Sequence, residues 1–171
     1  CVLLLYYVTP VRYRNICLFI VNLIFYGWGE PVYLLLMLFS ITINYISGLL
    51  VSKYRLVEDK KARRVLIINT VINLSLLFFF KYYDFIAENL SKISFLRFIQ
   101  PIGLSLPIGI SFYTFQTMSY PIDVYRGDTQ AQRNFISFGT VVALFPQLIA
   151  GPIVRYKDVA DQLSFRSNSA E

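Results

Sequence analysis

Four polar side chains recur at helical spacing near the end of a long apolar segment. In LPIGISFYTFQTMSYPIDVYRGD, residues 106–128, the positions Phe112, Gln116, Ser119 or Tyr120, and Asp123 recur at intervals of three or four residues, and Arg126 follows at the far end. On a helix this spacing places the side chains on one face. A central Asp or Arg costs about 2.5 to 3.5 kcal/mol in lipid, so the face should point at protein, water or the membrane surface. We interpret it as the lining of a tunnel or substrate path.

The same residues have a simpler interpretation as the end of a membrane span. The interfacial anchors would then be Tyr120, Asp123, Tyr125 and Arg126. Asp123 and Arg126, three residues apart, would form a surface pair worth roughly a few tenths of a kcal/mol. Gln116 lies about two turns from this charged end, where an amide has no anchoring role. The functional interpretation is therefore strongest for Gln116, and both interpretations stay open for the other three.

A second segment broken by prolines carries further polar residues. In FPQLIAGPIVRYKD, residues 145–158, two prolines interrupt an apolar run and expose backbone carbonyls near Gln147, Arg155 and Lys157. Gln147 and Arg155 are candidates for the same substrate path, where Arg155 would contact an anion. Equally, Arg155 and Lys157 could do no more than snorkel to lipid head groups.

Histidine is absent from the 171 residues. This absence excludes a histidine-based triad, an HExxH metal site and a histidine general base within the chain. The segments GLSLPIG and IAGPIV lack the glycine spacing and the lysine of a phosphate loop, and no metal site is indicated. The Tyr, Gln, Asp and Arg side chains can therefore bind and orient a substrate, but none replaces an imidazole as a base for a hydroxyl.

These polar residues are embedded in a chain with the composition of a membrane protein. Hydrophobic residues make up 56% of the sequence and the mean hydropathy is +0.56, above the roughly 45 to 50% apolar content of soluble domains. Helices that cross a bilayer need about 20 apolar residues. Windows without any charged residue are Asn15–Gly29, Pro31–Ser52, Val65–Phe80, Phe98–Ile122 and Asn134–Val154. The sequence predicts an all-α integral membrane protein, a multi-span helical bundle.

The fourth window, Phe98–Ile122, is not expected to form one continuous helix. Proline removes a backbone donor from the helical ladder. The interrupting residues are Pro101, Gly103, Pro107 and Gly109. We expect a broken or re-entrant segment here, with a helix from about Ile108 onward.

The net charge of +6 is concentrated between the apolar windows. The densest basic cluster lies in residues 53–64, and Arg12 and Arg14 lie two spans earlier, hence on the same side. The positive-inside rule makes that side cytoplasmic. Because the basic residues do not follow one amphipathic face, they do not predict nucleic-acid binding.

Four segments, taken in order, resemble a known family. They are FYGWGEPVYLLLMLFSITINYISGLL, FFFKYYDFIAENL, LPIGISFYTFQTMSYPIDVYRGD and FISFGTVVALFPQLIAGPIVRYKDVADQL. Each one alone is a weak apolar pattern, whereas the four in this order are specific. The sequence resembles the membrane-bound O-acyltransferase family, and within it the bacterial alginate O-acetyltransferases.

The resemblance implies helices around a tunnel that joins the two faces of the bacterial cytoplasmic (inner) membrane, in a multi-pass protein. The donor would be acetyl-CoA or an acyl carrier on the cytoplasmic side, with no bound cofactor. The acetyl group would pass to an extracytoplasmic partner protein and onto an exported polysaccharide such as alginate. Acyl transfer to a hydroxyl needs a base with a pKa near neutrality.

In this family the catalytic histidine comes from a later helix. We therefore expect residues 1–171, which open on Cys1 without a Met, to be the N-terminal part of one transmembrane domain whose catalytic part lies downstream, and to be inactive alone. Two alternatives remain open. One is a fragment of a transporter or channel, which also uses proline-broken helices, and the other is a D-alanyl transfer protein of the same family.

Overall fold

The computed structural model describes residues 9–10, 13–92, 102–103, 107 and 109–144. Within these ranges the chain forms α-helices and no strand, so the all-α prediction is confirmed there. The helices are α1 Arg14–Gly29, α2 Pro31–Arg55, α3 Asp59–Ser91, α4 Ile110–Arg126 and α5 Phe135–Ala143.

Helix α2 is the centre of the bundle, since it contacts each of the other four helices. Its start is favoured by Pro31 in the first turn, where the missing amide costs no hydrogen bond. Lys53 and Arg55 occupy the last turn and complement the negative end of the helix dipole. The side chains buried between the helices include Met37, Ile41, Val51, Tyr113, Tyr120 and Phe138.

Two of the described helices, α2 and α3, are long and apolar enough to cross a membrane. Helix α2 has 25 residues and corresponds closely to the window Pro31–Ser52. Helix α3 has 33 residues and extends well beyond the window Val65–Phe80, because Lys81 and Asp84 are compatible with a continuous backbone ladder. Only 11% of its most apolar stretch is buried within the structure. The outward-facing apolar surface is what a membrane span requires.

Helix α1 has 16 residues, which gives a length of about 24 Å, against about 30 Å for a bilayer core. The short turn at Glu30 joins it to α2, with the Glu30 amide donating to the Tyr26 carbonyl at 2.9 Å. Trp28 beside this turn is 90% exposed, as expected of an aromatic residue at a membrane interface. The number of spans remains a prediction.

In the fourth window, helix α4 begins at Ile110, two residues after the expected start near Ile108. Gly109 precedes the helix with φ of 76°, a left-handed conformation that favours glycine. The Ile110 amide donates to the Pro107 carbonyl at 3.2 Å. Helix α4 then continues through Pro121 and ends at Arg126, and the next residue, Gly127, has φ of 85°.

Helix α5 occupies the start of the fifth window. The Asn134 side-chain oxygen caps it by accepting hydrogen bonds from the amides of Ile136 at 2.9 Å and Ser137 at 3.3 Å. The helix is described to Ala143. Residues 145–154 lie outside the described part of the chain, so the structure does not test the predicted span beyond this point.

Candidate functional site

Three of the predicted site residues are buried together on α4. The exposed fractions are 6% for Gln116, 0% for Tyr120 and 2% for Asp123. Arg126 is instead exposed at the end of the helix, where it borders a groove of about 410 Å³ between α3 and α4. The helical spacing therefore brings three of the four residues into the protein interior and leaves Arg126 at its surface.

Gln116 has a side-chain donor that no other described residue uses. Its side-chain nitrogen is buried and has no hydrogen-bond partner within the described residues. The hydroxyl of its neighbour Thr117, by contrast, donates to the Tyr113 carbonyl at 2.7 Å. Leaving a buried amide unpaired costs about 1 to 3 kcal/mol, and such groups call for a water, a ligand or another part of the protein. This donor is therefore open to a group outside the described residues.

Tyr120 makes the contacts of a packing residue. Its ring centroid lies 4.6 Å from that of Phe138 in α5, and its ring lies against Gly48 in α2, where a β-carbon would overlap with it. The Tyr120 hydroxyl accepts a hydrogen bond from the Gln132 amide at 2.8 Å. These contacts connect α4 with α2, α5 and the loop before α5.

Asp123 is buried near the end of α4, so it cannot form a surface pair with Arg126. Its backbone carbonyl accepts hydrogen bonds from the amides of Gly127 at 3.0 Å and Asp128 at 2.9 Å. Such paired bonds, with glycine in the left-handed conformation, are a common way to end a helix.

A network of buried asparagines was missed by the sequence analysis. Asn44 of α2 donates to the side-chain oxygen of Asn73 at 2.9 Å, and its own oxygen accepts from Asn69 at 2.8 Å. Both partners belong to α3, and all three side chains are at most 2% exposed. Hydrogen bonds of this kind hold helices together in a membrane. The available signal was the pair Asn69 and Asn73, one turn apart inside a charge-free window.

Hydroxyl groups extend this network to α4. The Ser47 hydroxyl donates to the Asn69 side-chain oxygen at 3.0 Å. The hydroxyls of Ser40 and Thr117 lie 3.3 Å apart, which brings the network to the residue next to Gln116. Ser40 also donates to the Asn73 side-chain oxygen at 3.5 Å, so the network connects α2 and α3 with α4.

Two predicted site residues, Gln147 and Arg155, lie outside the described residues. Within the described ranges, no group of three His, Cys, Asp or Glu side chains could hold a metal ion.

Comparisons with known proteins identify relatives over nearly the whole chain. The chain is 44% identical over 170 residues to the Pseudomonas aeruginosa protein named "Probable alginate O-acetylase AlgI". The matched region covers 98% of this chain and 32% of the relative. The protein of the same name from Azotobacter vinelandii is 41% identical, and the match covers 98% of this chain and 34% of that protein. The peptidoglycan O-acetyltransferase of Helicobacter pylori is 30% identical over 186 residues, and the match covers 95% of this chain and 35% of that protein.

The chain thus spans about a third of the length of the curated relatives it matches. No protein-family model matches it, and neither does any solved structure. Identity above 40% to several alginate O-acetylases across nearly every residue agrees with the resemblance seen in the four ordered segments. The chain belongs to the same family as the bacterial alginate O-acetylases.

Proposed function

We propose that the intact protein, of which this chain is a part, transfers an acetyl group across the membrane for the O-acetylation of an exported polysaccharide such as alginate. The observation that carries the proposal is the identity of 41 to 44% to five alginate O-acetylases over 98% of the chain. The corresponding location is the bacterial cytoplasmic (inner) membrane, in a multi-pass bundle of the membrane-bound O-acyltransferase type.

In this proposal the described helices supply the scaffold and one wall of the substrate path. The asparagine network sets the distance between α2 and α3, and its extension through Thr117 positions α4. The buried face of α4 then presents the Gln116 side-chain nitrogen, which has no hydrogen-bond partner among the described residues. Such a donor can hold an acyl or sugar oxygen, since hydrogen bonds are strong where water is excluded.

The chemical step requires groups beyond this chain. A hydroxyl attacks the carbonyl carbon of an acetyl thioester, a C–O bond forms, the C–S bond breaks, and a base takes the hydroxyl proton. With no histidine in the 171 residues, we assign the base to another part of the protein. The isolated chain is accordingly proposed to be inactive.

The donor and the partners follow from the same family. Acetyl-CoA or an acyl carrier would supply the acetyl group from the cytoplasmic side. An extracytoplasmic transfer protein and the polysaccharide would receive it, with the lipid bilayer as the surrounding medium.

Peptidoglycan is a second candidate acceptor, because the Helicobacter pylori relative is named a peptidoglycan O-acetyltransferase. The lower identity of 30%, against 44% for an alginate O-acetylase, favours the exported polysaccharide. A transporter or a D-alanyl transfer protein is not supported by any of the named relatives.

Deleting the gene in its own bacterium tests both the activity and the acceptor. Base-labile acetate should disappear from the extracellular polysaccharide and remain in the peptidoglycan, and a plasmid copy of the full-length gene should restore it. Loss of acetate from peptidoglycan alone would show that peptidoglycan is the acceptor. Unchanged acetate in both fractions would contradict the proposed acetylation.

A further inference from the structure

A cavity of about 460 Å³ lies where α2 ends, bounded by the end of α4 and the loop before α5. Its basic side chains are Lys53, Arg55 and Arg133, and no acidic residue is among the described residues that line it. The remaining lining residues include Leu49, Ser52, Leu56, Thr129, Gln130 and Ala131. The cavity therefore combines positive charge with apolar and hydrogen-bonding walls.

The walls of this basic cavity are held by specific contacts. The Arg55 guanidinium donates to the Val124 carbonyl at 3.3 Å and lies over Gly127, where a β-carbon would overlap with it. On the other side, the Tyr45 hydroxyl donates to the Arg133 carbonyl at 2.6 Å. The loop before α5 is thus fixed against α2, and the Arg55 side chain is held at the end of α4.

The nearest acidic residues of the α2–α3 turn are engaged elsewhere. Glu58 forms an ion pair with Lys61 at 2.8 Å, and the Asp59 carboxylate accepts a hydrogen bond from Tyr125 at 2.9 Å. Neither lines the cavity. Asp128 lies between the lining residues Gly127 and Thr129 but does not itself line the cavity. No ion pair among the described residues involves Lys53, Arg55 or Arg133, so within this part of the chain their positive charge is available to an anion.

An exposed apolar stripe on α2 leads to this cavity. Its members recur every three, four or seven residues and are Val32, Leu35, Phe39, Ile46 and Leu50. The next position in the series is Lys53, which is exposed at the rim of the cavity. One leaflet is about 15 Å thick, or about ten helical residues. A lipid chain lying along Ile46 and Leu50 would therefore place its head group at Lys53.

We propose that the basic cavity and the apolar stripe of α2 bind an anionic phospholipid. Lys53 and Arg133 contact the phosphate of the head group, and an acyl chain lies along Leu50 and Ile46. Arg55 contributes charge while it also holds the end of α4. The cavity does not include Gln116, so the lipid site is distinct from the substrate contact proposed on α4.

Lipid titration of the purified full-length protein in a neutral detergent tests this site. The measurement is the melting temperature against added phosphatidylglycerol, phosphatidylcholine with the same acyl chains, or inorganic phosphate. Phosphatidylglycerol should raise the melting temperature of the wild type, and the other two should raise it far less. Lys53→Gln and Arg133→Gln should each weaken the apparent affinity about fivefold, as expected for one basic group at a membrane surface.

Lys60→Gln and Arg64→Gln are the matched controls, since both residues are exposed in the same basic cluster and neither lines the cavity. They should keep the response of the wild type. Equal losses in the controls and the cavity variants would overturn the site, as would wild-type affinity in the cavity variants. If phosphatidylcholine raises the melting temperature as much as phosphatidylglycerol does, the site does not select for negative charge. If inorganic phosphate does so, the site binds a phosphate group and not a lipid.

Discussion

The ring of Tyr120 in α4 lies directly against the α-carbon of Gly48 in α2, so closely that a β-carbon at position 48 would overlap with the ring. Both residues are buried, and the phenol ring also packs against the ring of Phe138. The absence of a side chain at position 48 thus sets the separation of the two helices.

Gly48→Ala should destabilise the protein by about 1 to 3 kcal/mol, because the tightly packed ring has no space to move. The measurement is thermal unfolding of the purified protein in detergent. Gly29→Ala is the control, since nothing lies within 4 Å of a β-carbon built there. Adding Tyr120→Leu to Gly48→Ala should recover part of the loss by removing the overlapping ring atoms. Equal stability of the two alanine variants would show that the contact is not close.

Asn44→Ala should also destabilise the bundle, since the Asn69 side-chain nitrogen loses its described partner and the Asn73 side-chain oxygen keeps only the 3.5 Å contact with Ser40 among the described donors. The expected cost is about 1 to 3 kcal/mol. Thr42→Ala is a control on the same helix, because the exposed Thr42 hydroxyl bonds only to the Leu38 carbonyl among the described residues. In a double-mutant cycle, Asn44→Ala and Asn69→Ala should be non-additive. Additive effects would mean that the network does not act as a unit.

The sequence predicted the features that depend on local chemistry. Helix α2 follows the window Pro31–Ser52 closely, because its proline start and basic end are local signals. The delayed start of α4 follows from the prolines and glycines that precede it. Lys81 and Asp84 limited the predicted window but not α3, because a charge near a membrane surface does not interrupt backbone hydrogen bonds.

The arrangement of side chains between helices was not predictable to the same degree. The spacing of Gln116, Tyr120 and Asp123 indicated a shared face, and all three are buried. It could not show that Tyr120 would meet Gly48, or that Asn44 would meet Asn69 and Asn73, since these contacts depend on how helices distant in sequence are paired.

The orientation of the chain can be tested at both ends of α2. In a background with Cys1 and Cys17 replaced by Ser, Lys60→Cys should resist a membrane-impermeant maleimide applied to intact cells, and Trp28→Cys should react. Both positions are exposed in the structure, so only the membrane distinguishes them. Labelling of Lys60→Cys from outside would reverse the predicted cytoplasmic position of residues 53–64.

Gln116→Leu separates a substrate contact from a packing role. The leucine keeps most of the side-chain volume and removes a buried donor that has no partner among the described residues, so the melting temperature should stay the same or rise. Acetylation of the polysaccharide by the full-length protein should nevertheless fall on the order of tenfold, equivalent to about 1.4 kcal/mol of transition-state stabilisation. Arg126→Gln is the control, because Arg126 is exposed at the end of the same helix and should keep near-normal acetylation at matched membrane levels. Wild-type acetylation by Gln116→Leu at an unchanged melting temperature would remove Gln116 from the substrate path.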